Sequence, residues 1–143
     1  MEPLANFTPI MYLGSPAVTN AVSTLTTGLG WLKNFLDQCS GCTIDFVNIH
    51  WYGSVTDIDG FKNHIDEARK VAGGRPMWIT EFRGSGTDED VIRFLDAVMP
   101  WMDGSSDIHR YAYFMARPGE GVLINANGDG LSAIGKEFDF FDH

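Results

Sequence analysis

Four β-favouring runs, separated by helical patterns, recur along the chain, and that order leaves few folds open. PIMYLGSPAV (9 to 18) is apolar and β-leaning and is closed by Gly14 and Pro16. Trp31, Leu32, Phe35 and Leu36 then fall on one helical face, which the SGC turn ends. TIDFVNIHWYG (43 to 53) reads as a second strand. Thr56 and Asp57 are caps for a second helix, whose stripe is Phe61, Ile65, Ala68 and Ala72 before GGRP breaks it. PMWITEF (76 to 82) is the third strand. Val91, Phe94, Leu95, Val98 and Met102 form a third amphipathic helix, with acidic residues at its start as the helix dipole favours. RYAYFMA (110 to 116) is the fourth strand, and after a glycine-rich loop LSAIGKEFDFF (131 to 141) suits a last short helix.

Successive strand-helix units imply parallel strands with helices outside and functional groups at the C-terminal strand ends. An open doubly wound sheet and half of an eight-stranded (β/α) barrel both satisfy the pattern. The strand ends favour the barrel half: His50, Trp51, Tyr52, Glu81, Phe82, Tyr113 and Phe114 place aromatic and titratable groups where barrel enzymes build their sites. No GxGxxG phosphate loop follows the first strand, as a nucleotide-binding sheet would need. The expected fold is therefore α/β, an incomplete (β/α)8 TIM barrel within a single partial domain over residues 1 to 143.

Charge and composition narrow the partners. At 143 residues and 44% hydrophobic, the chain can bury a real core. Ten basic against nineteen acidic residues give a net charge of -9, which repels phosphate backbones and anionic lipids, so neither nucleic acid nor a membrane is an expected partner. No apolar run approaches the roughly 18 residues of a membrane span, and the first residues lack the features of a secretion signal. Cys39 and Cys42 close a helix instead of opening one, which is backwards for thioredoxin-type chemistry; a structural turn with a local disulfide is the simpler reading. Asn6-Phe7-Thr8 is a glycosylation sequon and hints at the same oxidising compartment.

Glu81 is the residue that calls for explanation, since an ionised carboxylate among aromatics needs either water or a task. Sugar rings present apolar faces edged with hydroxyls, and aromatic platforms with polar tips suit them. Cleaving a glycosidic bond ordinarily takes two carboxyl groups, and Glu81 can serve as one.

Taken together, LGSPAVTN (13 to 20), IDFVNIHWYG (44 to 53), RPMWITEF (75 to 82) and RYAYFMA (110 to 116) resemble consecutive barrel strands of glycoside hydrolase family 128, the fungal β-1,3-glucanases also described as alkali-sensitive-linkage-type catalytic domains. The resemblance implies a retaining mechanism on β-1,3-glucan, an extracellular or cell-wall location, and no cofactor or metal. It implies that Glu81 is the nucleophile, that His50, Trp51 and Tyr52 line the adjacent sugar subsite, and that Phe82, Tyr113 and Phe114 shape the cleft. The chain corresponds to strands five to eight. The family's acid/base lies in an Asn-Glu-Pro motif on the fourth strand, which Glu2-Pro3 matches only in part, so Glu2 receives no role. A full barrel takes about 250 residues. The expectation is a segment that self-associates or docks its missing half, and that is inactive alone.

Other residues read as structural. Trp78, three positions from Glu81, is expected on the opposite face beneath a helix. His64 and Glu67 have the spacing of a metal pair, but a surface hydrogen bond is the simpler role; Trp31 and Trp101 read as core, and EFDFFDH as a solvated end with a packed aromatic face. Two other functions remain open, a carbohydrate-binding or wall-associated protein without catalysis, and an open-sheet redox protein using the cysteines.

Overall fold

A computed structural model describes residues 11–139, which leaves the sequon, Glu2 and the last residues of the acidic tail outside the described residues. The sheet has three parallel strands in sequential order: β1 Val47–Ser54, β2 Met77–Ser85 and β3 Ile108–Tyr113. Among the described residues the four helices are α1 Gly28–Gln38, α2 Ile58–Ala72, α3 Asp88–Asp103 and α4 Ala133–Asp139.

The first expected strand is only partly formed. Its described portion touches β1 through two isolated parallel bridges, Gly14 to Phe46 and Val18 to Ile49, in place of a continuous ladder. Between the two bridges the Asn48 N–H donates to Ser15 Oγ at 3.0 Å in place of a backbone carbonyl, which interrupts the ladder. Gly14 lies so close to the Phe46 ring that an added Cβ would sit 2.6 Å from it.

Alternation along the strands divides the sheet into two unlike faces. Val47, Ile49 and Trp51 of β1 and Met77, Ile79 and Phe82 of β2 are buried against the helices. The α2 stripe of Phe61, Ile65, Ala68 and Ala72 and the α3 stripe of Val91, Phe94, Leu95, Val98 and Met102 complete that core as expected. Residues on the other face, Asn48, His50 and Tyr52 of β1 with Trp78, Thr80 and Glu81 of β2, are half-buried. A doubly wound sheet would bury both faces; one covered face fits a partial TIM-barrel type instead.

The helix ends follow ordinary capping chemistry. Asp57 accepts from the Gly60 N–H at 3.0 Å to start α2, and left-handed Gly73 (φ 61°) ends it. Thr87 caps α3 by accepting from the Asp90 N–H at 3.2 Å. Arg69 on α2 holds Asp107, just before β3, with Nε 2.6 Å from the carboxylate, so helix and strand entry are tied together. Cys39 and Cys42 form a disulfide at the end of α1.

Trp78 departs from expectation. It lies on the helix-free face, stacked on Phe46 with ring centroids 3.9 Å apart and with the Arg110 guanidinium 5.3 Å from its ring. The cause is an irregularity in β2: Ile49 pairs with Ile79 but His50 pairs with Glu81, leaving Thr80 as an extra residue. That bulge lets Trp78 and Glu81 share a face despite their odd spacing. Trp31 and Trp101 pack against the core from its margin, Trp101 with Lys62 and Arg69 over its ring. His64 and Glu67 do not pair: Glu67 binds Lys70 at 2.5 Å, and burial pushes the His64 imidazole below its ordinary pKa.

Candidate active site

The C-terminal halves of β1 and β2 carry the cluster the sequence pointed to. Parallel pairing sets His50 beside Glu81, and alternation brings Tyr52 to the same face two residues on. The Tyr52 hydroxyl donates to Glu81 Oε2 in a short contact. His50 Nδ1 lies 3.3 Å from that same oxygen, and its Nε2 lies 3.0 Å from Thr80 Oγ1. The Glu81 side chain keeps 34% of its surface accessible, so the carboxylate is held from one side and open on the other. Among the described residues both contacts converge on Oε2, and no hydrogen bond engages Oε1.

Tyr52 is the most perturbed group of this cluster. Its phenol is pushed up to about 12, first by burial and then by its hydrogen bond to Glu81 and that carboxylate's charge, with Arg83 opposing. The hydroxyl therefore stays protonated, and a donor, throughout the physiological range. Phe114 meets the Tyr52 ring edge-on at 5.7 Å and so belongs to this side of the sheet.

Three of the expected sugar contacts are buried on the helix-covered side of the sheet. Trp51 is 2% exposed and stacks on Phe94 at 5.5 Å, with Phe61 edge-on at 5.2 Å. Phe82 is fully buried, and Tyr113 at 4% exposure packs edge-on to it and contacts Phe138. Each adjoins a residue of the open face, and the strand period turns it to the helices. His50, Tyr52, Glu81 and Phe114 are brought together; Trp51, Phe82 and Tyr113 are not part of that group.

The structure adds residues that sequence reasoning passed over. The Asn20 amide donates to the Tyr52 carbonyl at 2.9 Å and accepts from its N–H at 3.0 Å, so one side chain serves as a surrogate strand neighbour. Asn20 closes the LGSPAVTN motif, but nothing in its type singles it out. Arg83, one step beyond Glu81 on the open face, donates to the Glu120 carbonyl at 3.4 Å. Together with Tyr52, Ser85, Asp88 and Glu120 it lines a cavity of about 600 Å³ that continues the site past the strand ends. No group of three or more metal-binding side chains occurs among the described residues.

Residues 1–138 match the family described as glycosyl hydrolase catalytic core. The chain is 34% identical over 150 aligned residues to alkali-sensitive linkage protein 1 of Schizosaccharomyces pombe, an alignment spanning 95% of this chain and 26% of that protein. Among solved structures it resembles a GH128 subgroup III curdlan-specific exo-β-1,3-glucanase from Blastomyces gilchristii, in complex with glucose (TM-score 0.79, 39% identity, 89% of this chain and 53% of that one). It also resembles a GH128 subgroup IV endo-β-1,3-glucanase from Lentinula edodes (TM-score 0.77, 26% identity, 89% and 56%). The chain thus spans about a quarter of the curated relative and about half of either glucanase.

Proposed function

The chain belongs to the glycosyl hydrolase catalytic core family, within glycoside hydrolase family 128, and on that premise we propose that it supplies the nucleophile half of a retaining β-1,3-glucanase site. In this reading it corresponds to barrel strands five to eight, and Glu81 is the nucleophile. The observation that carries it is the convergence of the Tyr52 hydroxyl and His50 Nδ1 on Oε2, with Oε1 open. Two contacts on one oxygen orient the carboxylate, while the other oxygen keeps its lone pairs for attack.

In the first displacement Oε1 bonds to the anomeric carbon as the glycosidic C–O bond breaks, and a second carboxyl group protonates the departing oxygen. In the second, that group takes a proton from water, whose oxygen replaces Glu81 at the same carbon. The family resemblance assigns the acid/base to an Asn-Glu-Pro motif that this sequence lacks, so the reading requires a complementary barrel half and makes the segment alone inactive. Phe114 and the Tyr52 ring offer apolar surface to a sugar face, and Arg83, Asp88 and Glu120 offer polar edges to its hydroxyls. β-1,3-Glucan is the proposed substrate and the wall or extracellular space the proposed place of action. The Cys39–Cys42 disulfide suits such an oxidising compartment.

The test is Glu81→Gln in this chain joined to the N-terminal half of a homologous barrel. Turnover of β-1,3-gluco-oligosaccharides should vanish while their binding persists; retained turnover refutes the assignment. A second reading, carbohydrate binding without catalysis, draws on the Phe114 and Tyr52 rings beside Glu81 and predicts binding but no turnover before any substitution.

A further inference from the structure

We propose that Thr80 is a positioning residue that, by donating to Nε2, helps Glu81 hold His50 in the tautomer whose neutral imidazole presents Nδ1–H to the carboxylate. The meaning of this arrangement for catalysis rests on reading Glu81 as the nucleophile, but its geometry and its test stand apart from turnover.

The strand itself poses the question. Ile79 and Phe82 both face the helices and are fully buried, and plain alternation needs one outward residue between them. There are two, Thr80 and Glu81, with Thr80 left unpaired in the register against β1. The ring of His50 contacts both: Nε2 is 3.0 Å from Thr80 Oγ1, and Nδ1 is 3.3 Å from Glu81 Oε2. The bulge therefore gives one imidazole a hydroxyl on one nitrogen and a carboxylate on the other.

A neutral imidazole carries a single N–H. If Nε2 held it, the Nδ1 lone pair would face an anionic oxygen, and the two would repel. If Nδ1 holds it, that N–H lies in favourable electrostatic contact with Oε2, 3.3 Å from Nδ1, and Nε2 becomes an acceptor that needs a donor. The threonine hydroxyl can donate as well as accept, and only in this second arrangement does no ring lone pair face another lone pair. The carboxylate beside Nδ1 thus favours the N–H there, and the hydroxyl supports that choice by donating to Nε2. A neutral donor also leaves the carboxylate more basic, and so more nucleophilic, than an imidazolium would. No proton moves during attack: Oε1 forms the bond, while His50 and Tyr52 keep their hydrogens.

Long-range ¹H–¹⁵N correlation spectra of the ¹⁵N-labelled chain, at a pH where the imidazole is neutral, report the tautomer directly, with His50 assigned by the signals lost in His50→Gln. Wild type should show a predominant Nδ1–H pattern, the reverse of the Nε2–H form that free histidine prefers. Thr80→Val, similar in shape but without the hydroxyl, should lose that pattern to a mixture or to Nε2–H, and Thr80→Ser should restore it. The far-ultraviolet circular dichroism spectrum should be unchanged in every variant, as it would not be if the fold had loosened. Should the valine variant not fold, Thr80→Ala provides the same comparison. A wild-type Nε2–H pattern, or a hydroxyl-free variant with an unchanged His50 spectrum, overturns the proposal. Active Glu81→Gln enzyme would instead remove the nucleophile assignment and leave the tautomer assignment standing.

Discussion

The Tyr52 hydroxyl on β1 donates to Glu81 Oε2 on β2, joining residues 29 positions apart across adjacent parallel strands. A hydrogen bond to a charged group contributes about 1.5–3 kcal/mol. Tyr52→Phe keeps the ring and its edge contact with Phe114 but removes the donor, so turnover in a completed barrel should fall roughly tenfold to a hundredfold. Steady-state hydrolysis of β-1,3-gluco-oligosaccharides measures this, and an unchanged kcat would count against the orienting role.

The same contact should be visible in alkali. Because the folded-state pKa of Tyr52 is raised to about 12 from the ordinary 10.0, its contribution to stability is complete below 10 and is lost as pH rises through about 12. Ultraviolet titration, with Tyr52→Phe subtracted from wild type, should show a phenol ionising late. Glu81→Gln should bring that ionisation earlier, leaving the part due to burial. Identical Tyr52 curves with and without the Glu81 charge would contradict this account.

Trp51 provides a test of face assignment. Its burial against Phe61 and Phe94 predicts that Trp51→Ala costs about 3–5 kcal/mol, the range for emptying a large aromatic site. Urea unfolding measures it, and Trp51→Phe should recover much of the loss. A sugar platform would give the opposite pattern, with unfolding unaffected and glucan binding weakened.

Acid should probe the link between α2 and β3. The Arg69 guanidinium beside Asp107 holds its carboxyl below the usual value, so the contribution of this pair is full above the unfolded aspartate pKa and disappears as pH falls through the lower, folded one. Asp107→Asn should cost about 1 kcal/mol at neutral pH, allowing for solvent screening of a partly exposed pair. In strong acid its stability should approach that of wild type. Parallel denaturation curves at neutral and low pH decide the matter.

Reducing the Cys39–Cys42 disulfide should matter little to the site. A bridge spanning so short a loop contributes about 2 kcal/mol through chain entropy, and it lies at the end of α1, away from the Glu81 cluster. Replacing both cysteines with serine should lower the melting temperature modestly and leave glucan binding intact. Loss of function in that variant would revive the redox alternative.

Periodicity was legible where it was unbroken. The stripe from Phe61 to Ala72 and the run from Val91 to Met102 announced α2 and α3 because each buries one helical face. Glu81 stood out because a charge among aromatics is rare without a purpose, and His50 and Tyr52 followed from its neighbouring strand. The same two-residue period turns Trp51, Phe82 and Tyr113 to the helices, since each adjoins an outward-facing residue; aromatic identity alone does not carry direction. Trp78 failed for a different reason, because an extra residue in β2 cannot be read from a single sequence when both rhythms use β-favouring residues. Asn20 was equally hidden: its task is to satisfy backbone groups of Tyr52, and any surface asparagine looks the same. The incomplete first strand is equally hidden, because a serine hydroxyl takes the Asn48 N–H that a backbone carbonyl would otherwise accept.

The surplus residue in β2 permits a kind of surgery that substitution does not. Excising Thr80 would restore a regular pleat, with Ile79 and Phe82 inward and the carboxylate outward between them, so the hydrophobic layer would have little cause to object. The imidazole across the strand would face one neighbour where it had two. Tolerance of that deletion by the fold, set against its effect on the carboxylate, would separate what the polypeptide needs to stand from what it needs to react.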